Sequence, residues 1–244
     1  MKQARYALLA SLLCSVFGFS STVSAGPIVL DFEGLGVLQT NSFGTGFIEG
    51  VGDFYNGGTG TQGSGPGTDF GISFSSNALA IIDADAVGLP FVSGNFGGEP
   101  TPDTALFFLT GTAATVTSSA GFTDGFSFFY SSIDFTGSID VYSGPDATGS
   151  VLASLVLPPT PTNGAPDPTG EFSPFLPIGV EFSGIAQSID FGGTINQIAF
   201  DNITFGSSTP LVLDDMSSTS VPVPPSVVLL TVALVGVFGV RLQR

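Results

Sequence analysis

The residues of this sequence that could do chemistry are its carboxylates. The densest pair is Asp83 and Asp85, which follow an apolar stretch and precede Gly88. Alternate carboxylates at such a turn can converge on a hard cation such as Ca²⁺. The spacing lacks the third acid and the final Glu of an EF-hand loop, so a solvated turn is the alternative. Further candidate metal ligands flank other predicted strands and turns: Asp31, Glu33, Asp53 and Asp201.

Asp31 and Asp201 form a second candidate pair. They lie on the first and last predicted strands, which β-sandwiches often bring together. Glycoside hydrolysis needs only two carboxylates. However, the chain has 20 acidic residues, so some pair at a suitable separation is almost inevitable. We therefore predict no enzymatic activity from the acids alone.

Sugar binding normally uses flat aromatic faces beside hydrogen-bonding groups. The chain has no Trp and 24 Phe, and Phe has no polar group for a wet site. Tyr55 and Asn56, next to the Gly-rich stretch 56–68, are the best candidates for a ligand contact. The Phe residues are predicted to form the core.

The charge distribution excludes several function classes. The four basic residues are Lys2, Arg5, Arg241 and Arg244, so no Lys or Arg lies between residues 6 and 240. Nucleic-acid binding needs such residues to neutralise phosphates. The chain has no His, which excludes catalysis by imidazole and His-ligated zinc. An acidic surface of this kind suits a hard cation, with Ca²⁺ the leading candidate, or simply keeps the protein soluble.

Residues 1–25 have the pattern of a secretory signal peptide. Lys2 and Arg5 precede an apolar run, and Val23-Ser24-Ala25 provides a small-residue cleavage site. The mature protein would begin at Gly26. It would contain no cysteine, because the single Cys14 is removed with the signal.

The C-terminal segment 221–244 combines three parts. The Pro-rich Val221-Pro222-Val223-Pro224-Pro225 is followed by an apolar run to residue 240 and by an end that carries Arg241 and Arg244. Its length just reaches that of a membrane-spanning helix. The positive-inside rule places the arginines in the cytoplasm and the residues before 221 on the exported side. Both termini therefore predict the same topology.

This order of parts resembles the C-terminal sorting tails of the PEP-CTERM type. Gram-negative bacteria that make extracellular polysaccharide carry such tails on exported proteins, and a membrane enzyme called exosortase processes them. The usual Pro-Glu-Pro motif is replaced here by Pro222-Val223-Pro224, as in variant tails with a Val-Pro start. The resemblance implies an exosortase partner, transient residence in the inner membrane, and final location in the envelope, at the surface or in the matrix.

The segment 26–206 is predicted to be one all-β domain, a two-sheet sandwich of the jelly-roll type, with residues 207–220 as a linker. Short apolar and β-branched runs alternate with Gly, Asn, Asp and Pro, and none has a helical period. In the last strand, a bulge at Asp201-Asn202 would keep Phe200 and Ile203 on the same inward face. The predicted strands cover residues 28–32, 71–74, 79–82, 105–109, 114–117, 126–131, 138–142, 151–157, 178–182, 187–191 and 197–205.

The same segment is similar to a group of uncharacterised exported proteins with PEP-CTERM tails. The residues that carry the similarity are four short runs: 53–58, 71–74, 125–130 and the closing Phe200-Asp201-Asn202-Ile203-Thr204-Phe205. The leading interpretation is an exported, non-enzymatic protein of the envelope or the extracellular polysaccharide matrix. The alternative is a carbohydrate-binding module, with or without dependence on Ca²⁺.

Overall fold

The computed structural model describes residues 26–41, 44–84, 86, 94–160 and 172–212. These residues form strands and turns and contain no helix. None of their elements is a helix that could cross a membrane. The predicted signal peptide 1–25 and the sorting tail 221–244 lie outside the described residues, as does most of the predicted linker.

Within these ranges, thirteen strands make up two antiparallel sheets. The larger sheet has the order β11-β8-β13-β6-β5-β3-β2, with β1 also paired to β13, and the smaller one has the order β10-β9-β12-β7-β4. The strands are β1 (Ile28–Leu30), β2 (Leu38–Asn41), β3 (Gly44–Gly50), β4 (Ile72–Phe74), β5 (Ala78–Ile82), β6 (Thr104–Phe108), β7 (Ala113–Phe122), β8 (Gly125–Ser131), β9 (Gly137–Tyr142), β10 (Val151–Leu157), β11 (Leu176–Glu181), β12 (Ala186–Gly192) and β13 (Ala199–Phe205).

The two sheets share one aromatic core. Phe128 of β8 contacts Phe191 of β12 with ring centroids 5.8 Å apart, and Phe191 also contacts Phe200 of β13 at 4.9 Å. These rings meet edge to face, the arrangement that aromatic quadrupoles favour. Each buried Phe contributes about 2–3 kcal/mol of hydrophobic stabilisation. Because the described residues include no cysteine, Lys or Arg, this packing replaces disulfides and ion pairs.

The first and last strands are neighbours in the larger sheet. Strand β13 pairs with β6 at Phe200 and with β1 from Ile203 to Phe205. The predicted bulge is confirmed, because the register between β13 and β8 shifts between Asp201 and Thr204. All seven residues of β13 are buried as a result, and Asp201 is among them.

The sequence prediction missed strands β2 and β3. Leu38–Asn41 has one apolar residue and Gly44–Gly50 has three glycines, so neither has the alternation that identifies a strand. Their pairing with each other, and that of β3 with β5, defines them as strands instead. The eleven strands predicted from the sequence all appear in the structure, with ends shifted by a few residues.

Candidate functional site

The turn after β1 carries two carboxylates to the start of β6. Phe32, between Asp31 and Glu33, has a φ of 61°, an uncommon conformation for a bulky residue. Its N–H donates to the hydroxyl of Tyr55 at 2.6 Å. That hydroxyl in turn donates to Asp31 Oδ1 at 3.3 Å. Glu33 Oε1 accepts the N–H of Thr104, the first residue of β6, at 2.9 Å. These bonds fix both carboxyl groups.

The bulge of β13 carries the third carboxylate, that of Asp201, which is fully buried. Its Oδ1 accepts the N–H of Asn202 at 2.7 Å. Its Oδ2 lies 3.2 Å from the N–H nitrogen of Thr101 and 2.9 Å from the Thr101 hydroxyl. Burial raises the pKa of Asp201 well above its usual value, and the charge of Glu33 adds to that rise.

The Thr101 hydroxyl lies between two acceptor oxygens. The Thr101 hydroxyl lies 2.9 Å from Asp201 Oδ2 and 2.8 Å from the side-chain oxygen of Asn202, yet it has one hydrogen. The Asn202 amide cannot turn to donate here, because its NH₂ group bonds the carbonyl of Leu211 at 3.0 Å. A proton on Asp201 or a cation among these oxygens would satisfy all three groups.

Among the described residues, no basic side chain partners the acids of this region. We name Asp31, Glu33, Thr101, Asp201 and Asn202 the junction cluster. Burial raises the pKa of Glu33 to about 7, and the carboxylates of Asp103 and Asp31 add to that rise. Burial likewise raises the pKa of Asp31. No Lys or Arg occurs between residues 6 and 240 to offset these charges.

Of the predicted pair Asp31 and Asp201, Asp31 accepts a hydrogen bond from the Tyr55 hydroxyl. Both carboxylates act on the hydroxyl of Tyr55, whose pKa is raised, first by burial and then by these two charges. The sequence did not predict the roles of Thr101 and Asn202. Across the described ranges, no three acidic side chains form a ready-made metal-binding group. Any cation in the junction cluster would therefore need hydroxyl, amide or carbonyl oxygens as well.

The other predicted pair, Asp83 and Asp85, remains a prediction. Asp85 lies outside the described residues. Asp83 is buried, and its Oδ1 accepts the N–H of Ala84 at 2.8 Å. Asp53 lies exposed in a turn.

Tyr55 has an internal role, which differs from the ligand contact predicted for it. The side chain is 3% exposed, and its ring packs against Phe32 and Phe54 at centroid distances of 5.8 and 5.1 Å. Its polar group holds the turn after β1, so the ring has no free face for a sugar. Asn56 is exposed and forms a backbone bridge with Asp69.

Glu49 anchors the Gly-rich stretch, a role that the sequence did not reveal. Its buried carboxylate accepts the N–H groups of Gly36 at 3.1 Å, Gln62 at 2.7 Å and Ser64 at 3.1 Å. Burial would raise the pKa of Glu49, but the hydrogen bonds from Ser64, Gly36 and Gln62 together outweigh it and lower the pKa. This carboxylate is satisfied by the protein itself and is structural.

Comparison with known proteins leaves the family open. No protein-family model and no curated protein matches this chain. A glycoside hydrolase family 43 arabinoxylan arabinofuranohydrolase from Bacillus subtilis is 16% identical, with a TM-score of 0.32 over 46% of this chain and 24% of that one. CsCBM6-3 from Clostridium stercorarium, solved with cellobiose, is 15% identical, with a TM-score of 0.30 over 43% of this chain and 75% of that one.

The K3 cleaved adhesin domain of Lys-gingipain from Porphyromonas gingivalis is also similar. It is 14% identical, with a TM-score of 0.32 over 74% of this chain and 98% of that one. This chain spans about a quarter of the length of the hydrolase. Similarity at this level carries no argument about function.

Proposed function

We propose that this protein is an exported, non-enzymatic component of the cell envelope or the extracellular polysaccharide matrix, and that Ca²⁺ stabilises its jelly-roll sandwich. The signal-like segment 1–25 and the sorting-like tail 221–244 support export and processing by an exosortase-type enzyme. The membrane would be a transient partner before processing. The acidic composition suits a medium that contains salt and divalent cations.

The observation that carries the calcium part is the junction cluster. Asp201 is fully buried, Asp31 and Glu33 are half-buried, the Thr101 hydroxyl lies between two acceptor oxygens, and no basic side chain lies between residues 6 and 240. The available ligand atoms are all oxygens: carboxylates of Asp31, Glu33 and Asp201, the Thr101 hydroxyl and the Asn202 amide oxygen. Ca²⁺ prefers such a set, and extracellular sites bind it with Kd of about 0.1–1 mM.

Thermal unfolding of the full chain with 1 mM Ca²⁺ or with EGTA tests the calcium part. A Kd of about 0.1 mM would give about 1.4 kcal/mol of stabilisation, which is about 3–6 °C in Tm for a protein of this size. Asp201→Asn should abolish the shift, and Asp53→Asn, at an exposed turn, should keep it. An equal Tm in Ca²⁺ and EGTA would overturn the calcium part.

Mass spectrometry of the protein recovered from its native host tests the sorting part. We expect a first residue of Gly26, a last residue within 222–225, and a location outside the inner membrane. A protein that ends at Arg244 and stays in the membrane would mean that the tail is an anchor, and the sorting proposal would be wrong.

Carbohydrate binding is the second candidate function. The observation that favours it is the solvent-facing side of the smaller sheet, where one accessible tyrosine lies among carboxylates and hydroxyls. Binding of polysaccharide by the full chain in native gels tests it.

A further inference from the structure

The smaller sheet has a polar outer face with side chains in register. Its inward positions, such as Ile139, Val141 and Phe191, are buried in the core. The intervening residues point outward because side chains alternate along a strand. Strand pairing aligns them in two rows, which we call the outer-face rows: Ser154, Asp140, Asp190 and Thr115 in the first, and Tyr142, Ser188, Thr117 and Ser73 in the second.

Two like charges lie directly opposite each other in the first row. Asp140 of β9 is the register partner of Asp190 of β12. Like charges at opposed positions destabilise a sheet, and no cationic side chain between residues 6 and 240 offsets them. Ser154 donates a hydrogen bond to Asp140 Oδ1, and Thr115 donates one to Asp190 Oδ1 at 2.7 Å. Such a departure from the stable pattern is typical of a functional surface.

Tyr142 is the accessible tyrosine of the described residues. Tyr55 and Tyr130 are each 3% exposed, whereas Tyr142 is half-buried on the outer face. Burial and the charges of Asp140 and Asp190 raise the pKa of Tyr142. Its hydroxyl therefore stays neutral and can donate a hydrogen bond, while the ring offers an apolar face.

The loop 143–150 forms a rim over the second row. Asp146 and Ala147 both have positive φ, at 52° and 55°. The N–H of Ala147 donates to the Ser188 hydroxyl at 2.9 Å, and the Thr117 hydroxyl donates to Asp146 Oδ1 at 3.0 Å. Ser188 is fully buried beneath this loop. The loop therefore covers the middle of the second row, whereas Tyr142 and the carboxylates of the first row stay partly exposed.

We infer that the first outer-face row, together with Tyr142, binds a neutral polysaccharide chain, with Tyr142 stacked on a sugar ring and Asp140 and Asp190 accepting sugar hydroxyl hydrogens. The negative charge of Asp140 and Asp190 repels anionic polymers, since no basic side chain on this face offsets it. The first row crosses four strands, about 14 Å at ~4.8 Å per spacing, so it suits an oligosaccharide stretch. The inference names the site of the second candidate function and rests on that function.

Native gel electrophoresis of the full chain tests the site. The gels contain hydroxyethylcellulose, galactomannan or dextran as neutral probes, or alginate as the anionic one. We expect at least one neutral probe to retard the protein. Tyr142→Ala and Asp190→Asn should each lower the affinity about tenfold, the scale of one lost aromatic or charged contact. Tyr142→Phe, which keeps the ring, should lose less than Tyr142→Ala.

Phe135→Ala is the matched control, because Phe135 is an aromatic side chain that is also exposed, at 42%. It should bind like the original protein. If Tyr142→Ala and Asp190→Asn bind as well as Phe135→Ala, the site is wrong while carbohydrate binding stands. If no neutral probe retards the protein, or alginate alone does, the site is overturned. The absence of any retardation would overturn the second candidate function as well, whereas the Ca²⁺ shift and the processed termini are measured independently.

Discussion

Acid should stabilise the Ca²⁺-free protein through Glu33. The pKa of this carboxyl rises from its usual 4.5 to about 7 in the folded protein, chiefly because of burial. Below pH 4.5 both the folded and the unfolded states hold the proton. Between pH 4.5 and about 7 the folded state alone holds it, so the free energy of unfolding falls as the pH rises through this window. Above about pH 7 the contribution is constant.

The magnitude follows from the size of the shift. One pKa unit corresponds to 1.36 kcal/mol, so the shift sets an upper limit of about 3 kcal/mol. Glu33 is half-buried, and solvent screening reduces the effect to about 1–2 kcal/mol. This is a change of about 2–8 °C in Tm. Asp31 and Asp201 act in the same direction, whereas Glu49, whose pKa is lowered, acts in the opposite one.

A difference between two proteins isolates the Glu33 contribution. Tm is measured from pH 4 to pH 8 in EGTA for the original chain and for Glu33→Gln, which keeps an acceptor for the N–H of Thr104. The variant should have the same Tm as the original chain near pH 4. At pH 8 its Tm should be higher, by an amount that corresponds to about 1–2 kcal/mol in the free energy of unfolding. Asp53→Asn, which removes an exposed carboxyl group, is the matched control. A Glu33→Gln difference that does not change with pH would refute this account of the junction cluster.

Three further variants test the core and the anchoring bonds. Phe128→Ala should lower the free energy of unfolding by about 3–5 kcal/mol in a urea titration, and an unchanged midpoint would contradict the shared core. Glu49→Ala should leave three N–H groups without an acceptor. It should lower the free energy of unfolding by about 2–3 kcal/mol and speed proteolysis within 57–68. Cleavage at an equal rate would mean that other contacts hold this stretch. Thr101→Val should lower the free energy of unfolding by about 1–3 kcal/mol at pH 7. An unchanged free energy of unfolding would show that the Thr101 hydroxyl makes no stabilising hydrogen bond.

Much of the fold could be predicted from local patterns. Strands such as Val151–Leu157 and Gly125–Ser131 have apolar runs bounded by turn residues, and both were placed to within a residue. The bulge was predictable because Phe200 and Ile203 are separated by an odd number of positions, so that without a bulge they would face opposite sides of the sheet. The hairpin of Leu38–Asn41 and Gly44–Gly50 was not, because hydrogen bonding between two polar, Gly-rich segments leaves no periodic signal.

The candidate site was partly predictable for a related reason. Asp31 and Asp201 belong to terminal strands, which this kind of architecture tends to pair. Thr101 lies 100 residues before Asp201 in a segment without regular structure, so nothing in the sequence indicates that its hydroxyl reaches the bulge. Tyr55 was misjudged because a polar group on an aromatic ring serves equally well at a surface and inside a core.

The absence of basic residues from most of the sequence determines the chemistry of both the junction cluster and the outer-face rows. Without Lys or Arg from residue 6 to 240, every carboxylate of the sandwich must be satisfied by water, by a hydrogen-bond donor or by something from solution. Glu49 is satisfied by backbone N–H groups. In the junction cluster, Asp201 is fully buried and Asp31 and Glu33 are half-buried, so a proton or Ca²⁺ suits these carboxyl groups. On the outer face, Asp140 and Asp190 remain accessible beside Tyr142, where hydroxyl hydrogens are sufficient partners. The same deficit of cations therefore underlies both proposals, Ca²⁺ at the buried acids and a neutral, hydroxyl-rich ligand at the accessible ones.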